Sequence, residues 1–89
     1  MSMKVMEELA DKLAADTIKA MDALGDDRLH EEVAKVLGAS SATSEEAFLT
    51  SIRIRLAERR ARQFLTDHVK RAMEAQKAGK AAPRAHAPG

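Results

Sequence analysis

The chain contains no cysteine, tryptophan or tyrosine, and Phe48 and Phe64 are its only phenylalanines. Without cysteine, neither a disulfide-stapled fold nor a thiolate metal site can form. Two prolines and four glycines among 89 residues exclude a collagen-like or proline-rich chain. The longest unbroken apolar runs, such as Leu13-Ala14-Ala15, are three residues, far too short to span a membrane. Met1 is followed by a segment dotted with charges rather than by a signal peptide, and we therefore expect a cytoplasmic protein.

The apolar residues are numerous but small. They make up 45% of the chain, and alanine is the most frequent of them. A compact chain of 9.7 kDa buries about 60% of its unfolded surface, which is marginal for one domain. Alanine removes little area from water per residue. With no disulfide to add stability, we expect oligomerisation, most simply as a homodimer.

Apolar residues recur at spacings of three and four along most of the chain, which predicts helices over 2–24, 27–37 and 44–77. Gly25 stands where a left-handed C-cap ends the first helix. Gly38 is expected to end the second helix, and the small polar residues 39–44 read as a loop.

Two start signals accompany these helices. Asp26 or Asp27 is a candidate N-cap for the second helix. Thr43, with Glu46 three residues later, fits a capping box at the start of the third.

The fold class predicted from this pattern is all-α, a three-helix arrangement with a long C-terminal helix. The third helix would extend for about 50 Å at 1.5 Å per residue. We expect a single helical domain over 1–77 and a disordered, basic Ala/Pro/Gly tail over 78–89.

The third helix is apolar on two sides. Phe48, Leu49, Ile52 and Leu56 share one side of its first half. The other side carries a second, alanine-rich set that runs along the helix. We predict that this set forms the oligomer interface (the predicted interface), and its residues are Ile54, Ala57, Ala61, Phe64, Leu65 and His68.

Charge is distributed unevenly along the chain. Residues 1–24 carry three basic and five acidic side chains, whereas 45–77 carry eight basic and five acidic ones. The densest basic patch, the arginine cluster, consists of Arg53, Arg55, Arg59, Arg60 and Arg62. These arginines either pair with the acids of the first two helices, within the chain or across a dimer, or bind an acidic partner.

The stretch Val33-Ala34-Lys35-Val36-Leu37-Gly38-Ala39-Ser40 resembles the first helix and turn of a helix-turn-helix DNA-binding unit. The resemblance covers about 29–48 and implies a small DNA-binding regulator as an alternative function. The chain departs from the pattern after the turn. A recognition helix would bury branched residues there and offer donors to bases, whereas this chain has Ser44, Ala47 and the acidic pair Glu45 and Glu46.

No pattern for catalysis or for a cofactor is present. The chain has no Gly-rich phosphate loop, no His-Glu-x-x-His pattern and no Gly-x-Ser-x-Gly elbow. We expect no enzymatic activity, no catalytic residue, no cofactor and no metal ligand. A ligand- or metal-sensing bundle using His68 is a second alternative. The function expected first is a small helical adaptor or regulator that acts by protein–protein binding as a homodimer.

Overall fold

The computed structural model describes residues 2–79, and within this range the chain forms three α-helices and no strand. Helix α1 spans Met3–Leu24, α2 spans Leu29–Ser40 and α3 spans Ala42–Ala78. The predicted all-α class and the long third helix are confirmed. The predicted tail falls almost wholly outside the described residues, since only Ala78, which is still helical, and Gly79 belong to both.

Glycine ends α1 as the sequence predicts. Gly25 has φ 67° and ψ 29°, a left-handed conformation that a residue without a Cβ adopts freely. The N–H groups of Gly25 and Asp26 both donate to the carbonyl of Met21, which satisfies an otherwise orphaned acceptor. Asp26 does not occupy the N-cap of α2, because Arg28 does, but its Oδ1 accepts the Arg28 N–H at 3.0 Å. Asp26 therefore lies two residues before the N-cap, and its side chain closes the bend that precedes α2.

The link between α2 and α3 is much shorter than predicted. The loop expected over 39–44 is wrong, since a single residue, Ser41, separates the two helices. Gly38 lies inside α2 rather than at its end. A Cβ added to Gly38 would collide with the carboxylate of Glu45, in the first turn of α3. Glycine at this position lets the Glu45 side chain lie directly against the α2 backbone.

The start of α3 also differs from the prediction. The hydroxyl of Ser41 accepts the N–H of Ser44 at 3.0 Å, the geometry of a serine N-cap. Thr43, which the sequence nominates as the cap, is already helical. The capping box of Thr43 with Glu46 is therefore wrong. Ser41 and Thr43 both carry a hydroxyl that could cap α3, and the backbone geometry selects Ser41.

The chain divides into two compact units, Met1–Ala57 and Glu58–Gly89. All the buried residues belong to the first unit, and α1 supplies most of them through its alanine-rich face. The core consists of Ala10, Ala14, Ile18, Met21, Ala34, Phe48 and Ile52. Among these, Phe48 and Ile52 are the largest fully buried side chains, and both belong to α3.

The described part of the second unit, 58–79, is the outer segment of α3. It contains no buried residue, and Asp67 is its only side chain that is even half-buried. The apolar side chains of 58–79 are therefore not part of the core formed by the described residues. Whether 1–77 folds as one domain remains a prediction.

Candidate protein-binding surface

One arginine of the cluster is held within the first unit. Arg55 donates from Nε to Asp11 Oδ1 at 3.3 Å and from Nη2 to Asp11 Oδ2 at 3.0 Å. The Ser51 hydroxyl donates to the same Asp11 Oδ1 at 2.5 Å. The hydrogen bond from Ser51, reinforced by Arg55, lowers the pKa of Asp11 below its ordinary value of 3.8. This arrangement joins α1 to α3. Arg55 is therefore paired with an acid of the first helix within the chain, which is one of the two interpretations given for the arginine cluster.

The remaining cluster arginines are in different situations. In the second unit, Arg62 donates from Nε to Glu58 Oε2 at 2.8 Å, an i,i+4 pair on the open helix surface. Arg59 is also engaged. Arg53 in the first unit and Arg60 in the second make no ion pair within residues 2–79. The cluster is therefore divided between the units, and Arg60 is the member of the cluster in the second unit that has no ion pair within residues 2–79.

The outer segment exposes a line of bulky apolar side chains. Phe64 is 67% exposed, Leu65 56%, Val69 45% and Met73 58%. Ala61 and His68 lie among them and are exposed as well, and the rings of Phe64 and His68 stack with centroids 5.8 Å apart. We call this set the exposed stripe, and its members are Ala61, Phe64, Leu65, His68, Val69 and Met73. Single exposed apolar residues are ordinary, but a contiguous line of them marks an interaction site.

The predicted interface overlaps the exposed stripe without matching it. Ile54 and Ala57 belong to the first unit, where both are exposed. Val69 and Met73 were not predicted, although they continue the i,i+4 row that starts at Leu65 and could have been found by extending it. The role of the predicted interface in joining two chains stays a prediction.

Basic side chains border the exposed stripe. At 100° per residue, Arg60 and Arg71 lie within about 40° of Phe64, and Lys77 lies about 40° beyond Met73 on the other edge. The acidic Asp67 and Glu74 lie about 150° or more from the centre of the stripe. The third acid, Glu58, is paired with Arg62. The edges of the exposed stripe are therefore mainly cationic.

The two units have opposite net charges. Residues 58–79 hold six basic and three acidic side chains, a net charge of +3. Residues 2–57 hold seven basic and eleven acidic ones, a net charge of −4. The segregation inferred from the sequence thus follows the division into units, and the apolar surface coincides with the basic unit.

The helix-turn-helix alternative requires a turn of defined length between its two helices. That motif joins its helices through a turn of three or four residues. Here Ser41 alone lies between α2 and α3, and the residue that matches the turn glycine, Gly38, is helical. At the start of α3, Glu45 is half-buried beside Gly38 and Glu46 is exposed, so two acids lie where phosphates would approach.

The histidines do not assemble into a site. Within residues 2–79, no three side chains among His, Asp and Glu are placed to hold a metal ion. His30, at the start of α2, has a buried Nδ1 without a hydrogen-bond partner. His68 belongs to the exposed stripe, and His86 lies outside the described residues.

Comparison of the chain with models of known protein families, with curated proteins and with solved structures found no match. Across the described helices, none combines the length and the apolar content that crossing a bilayer requires. The exposed stripe with its basic edges is therefore the feature from which a function has to be argued.

Proposed function

We propose that the chain is a small, non-enzymatic cytoplasmic adaptor that binds other proteins through the outer segment of α3. The observation that carries this proposal is the exposure of Phe64, Leu65, Val69 and Met73 on a segment with no core of its own. Covering such side chains releases about 25 cal/mol per Å² of apolar area removed from water. The basic edges add a preference for an acidic surface.

Helix stability gives a second reason for a partner. The outer segment buries none of its side chains within residues 2–79. Most helical stability in proteins comes from packing an apolar face, and this segment packs none. A bound protein would supply that missing contribution. A second copy of the chain, the predicted homodimer, and a different acidic protein would both serve the proposed function.

Site-specific photo-crosslinking in the cells that make the protein tests this proposal. A photoreactive residue at Phe64 should give a discrete protein adduct, and a doubled mass would indicate a second copy. The matched control is the same substitution at Gln63, which is exposed on the opposite face of the same segment. Absence of any adduct at Phe64, or equal adducts at both positions, contradicts the proposal.

Duplex DNA is the alternative that the charge of the outer segment favours. Six basic side chains on residues 58–79 could neutralise several phosphates. The two functions differ in their salt dependence, because DNA affinity falls with the logarithm of salt concentration at a slope of about 0.9 per phosphate contact. Retention on duplex DNA with a slope of several contacts, unchanged by Leu65→Asp, would replace protein binding by DNA binding.

A further inference from the structure

We propose that the outer segment acts as an inserted helix, seated in an apolar groove of a partner protein whose groove edges are acidic. This inference rests on the proposed function and specifies its partner. Two features of the outer segment carry it: the angular width of the exposed stripe and the sign of the charges beside it.

The exposed stripe is wider than one helix can cover. At 100° per residue it extends from Phe64 to Met73 across about 180° of the helix circumference. A two-helix seam uses only the a and d positions, which form a much narrower line. If a single helix packed on Leu65, at least one of Phe64 and Met73 would stay in water. A groove with two walls reaches both edges at once.

The spacing of the side chains suits recognition of this kind. Helices that insert into grooves present anchors at i, i+3, i+4 and i+7. Leu65 is followed by His68, Val69 and Ala72 at these intervals, and Phe64 is followed by His68 and Arg71. From Ala61 to Met73 the exposed stripe extends over about 18 Å of helix axis. A groove of this length would accept the whole stripe.

The positive charge of the outer segment favours an acidic partner protein over the outer segment of a second copy. Two outer segments packed against each other would oppose net charges of +3 and +3. Arg60 and Arg71 border the Phe64 edge, and Lys77 borders the other, so either edge would meet cations. Like charges in close opposition cost free energy, whereas acidic groove edges would attract the same side chains.

The probe for this inference is calcium-loaded calmodulin, an acidic protein whose Met-rich groove takes amphipathic helices. It represents the chemistry of the partner rather than its identity. Titration calorimetry with the full chain should give micromolar or tighter binding. Removing calcium closes the groove, and binding should then be lost.

Matched variants locate the contact. Leu65→Asp should weaken binding about tenfold or more, because it places a carboxylate in the apolar groove. Gln63→Asp changes the net charge equally on the opposite face and should stay within about threefold of the unmodified chain. Both positions are exposed, so neither variant should lose the helical signal in circular dichroism. Arg60→Glu with Arg71→Glu should also weaken binding and reduce its salt dependence.

Several outcomes overturn the inference. Binding that ignores calcium, or equal weakening by Leu65→Asp and Gln63→Asp, contradicts insertion into a groove. A dimer in light scattering that Leu65→Asp dissociates would show that a second copy covers the stripe, which leaves the proposed function standing. Calcium-insensitive binding to phosphatidylserine vesicles in place of calmodulin would identify a membrane surface as the target. A monomer that binds neither, and gives no adduct at Phe64, removes the proposed function as well.

Discussion

The two phenylalanines of this chain lie on one helix and have opposite environments. Phe48, in the first unit, is completely buried, whereas Phe64, in the second, is 67% exposed. Both belong to α3, and both are followed directly by a leucine and then a threonine. The difference is that α1 and α2 supply apolar neighbours to the first part of α3, and no described residue covers Phe64. Burial here is decided by what lies opposite a side chain, and little by the side chain itself.

The largest expected effect comes from truncating each phenylalanine in turn. Phe48→Ala should lower the free energy of unfolding by about 3–5 kcal/mol, because it leaves a cavity in a core with few bulky members. Phe64→Ala should change it by less than about 0.5 kcal/mol in the monomer, because an exposed ring loses little on truncation. Urea denaturation followed by circular dichroism measures both.

One result would contradict the expected difference between Phe48→Ala and Phe64→Ala. Equal losses for the two variants would mean that Phe64 is buried in solution, either by the chain itself or by a second copy. Repeating the denaturation at several protein concentrations separates these cases, because only association makes the midpoint depend on concentration.

A smaller effect is expected at the junction of α2 and α3. Ser41→Ala should cost about 1 kcal/mol, since it removes the acceptor for the Ser44 N–H at the N-terminus of α3. Thr43→Ala is the matched control and should cost less than half as much, because Thr43 is helical and exposed. The shift in melting temperature reports both. A larger loss at Thr43 would restore the capping box that the sequence suggested.

The smallest effect concerns pH and the first unit alone. The pKa of Asp11 is lowered in the folded chain, so its contribution is present above the ordinary pKa of 3.8 and is lost as pH falls through the folded-state pKa. Because the pair with Arg55 is solvent-exposed, the contribution is at most about 1 kcal/mol.

Asp11→Asn isolates this contribution from those of the other carboxylates. Relative to the unmodified chain, the variant should be less stable near neutral pH, and the difference should shrink below about pH 4. Melting curves across this range measure it. A difference that stays near zero at every pH would show that the hydrogen bond from Ser51, which an amide can also accept, matters more than the charge.

Local signals in the sequence predicted the helices well and their junctions poorly. Gly25 caps α1 as expected because a left-handed C-cap depends on one residue and its immediate neighbours. Gly38 looks the same in sequence, yet it is helical, and the Glu45 carboxylate from the next helix lies against it. A contact between residues seven apart, across a change of direction, leaves no periodic trace.

The candidate surface shows the same division. The apolar row through Ala61, Phe64, Leu65 and His68 could be read from helical spacing, and so could the excess of arginine beside it. The pairing of Arg55 with Asp11 could not, because 44 residues separate them and many acids of α1 and α2 were equally plausible partners. Val69 and Met73 belong to the exposed stripe only because nothing described in the second unit covers them.

By itself, the sequence determined the three helices, the long third one, and the segregation of acid from base, because these depend on neighbours within one or two turns. The tertiary structure alone decided which apolar face of α3 is covered and which arginine is held by α1. Those outcomes depend on the direction that the chain takes at two bends, after Gly25 and at Ser41. These bends bring residues that are distant in sequence into contact. The same packing that buries Phe48 leaves Phe64 in solvent, with basic side chains at its edge.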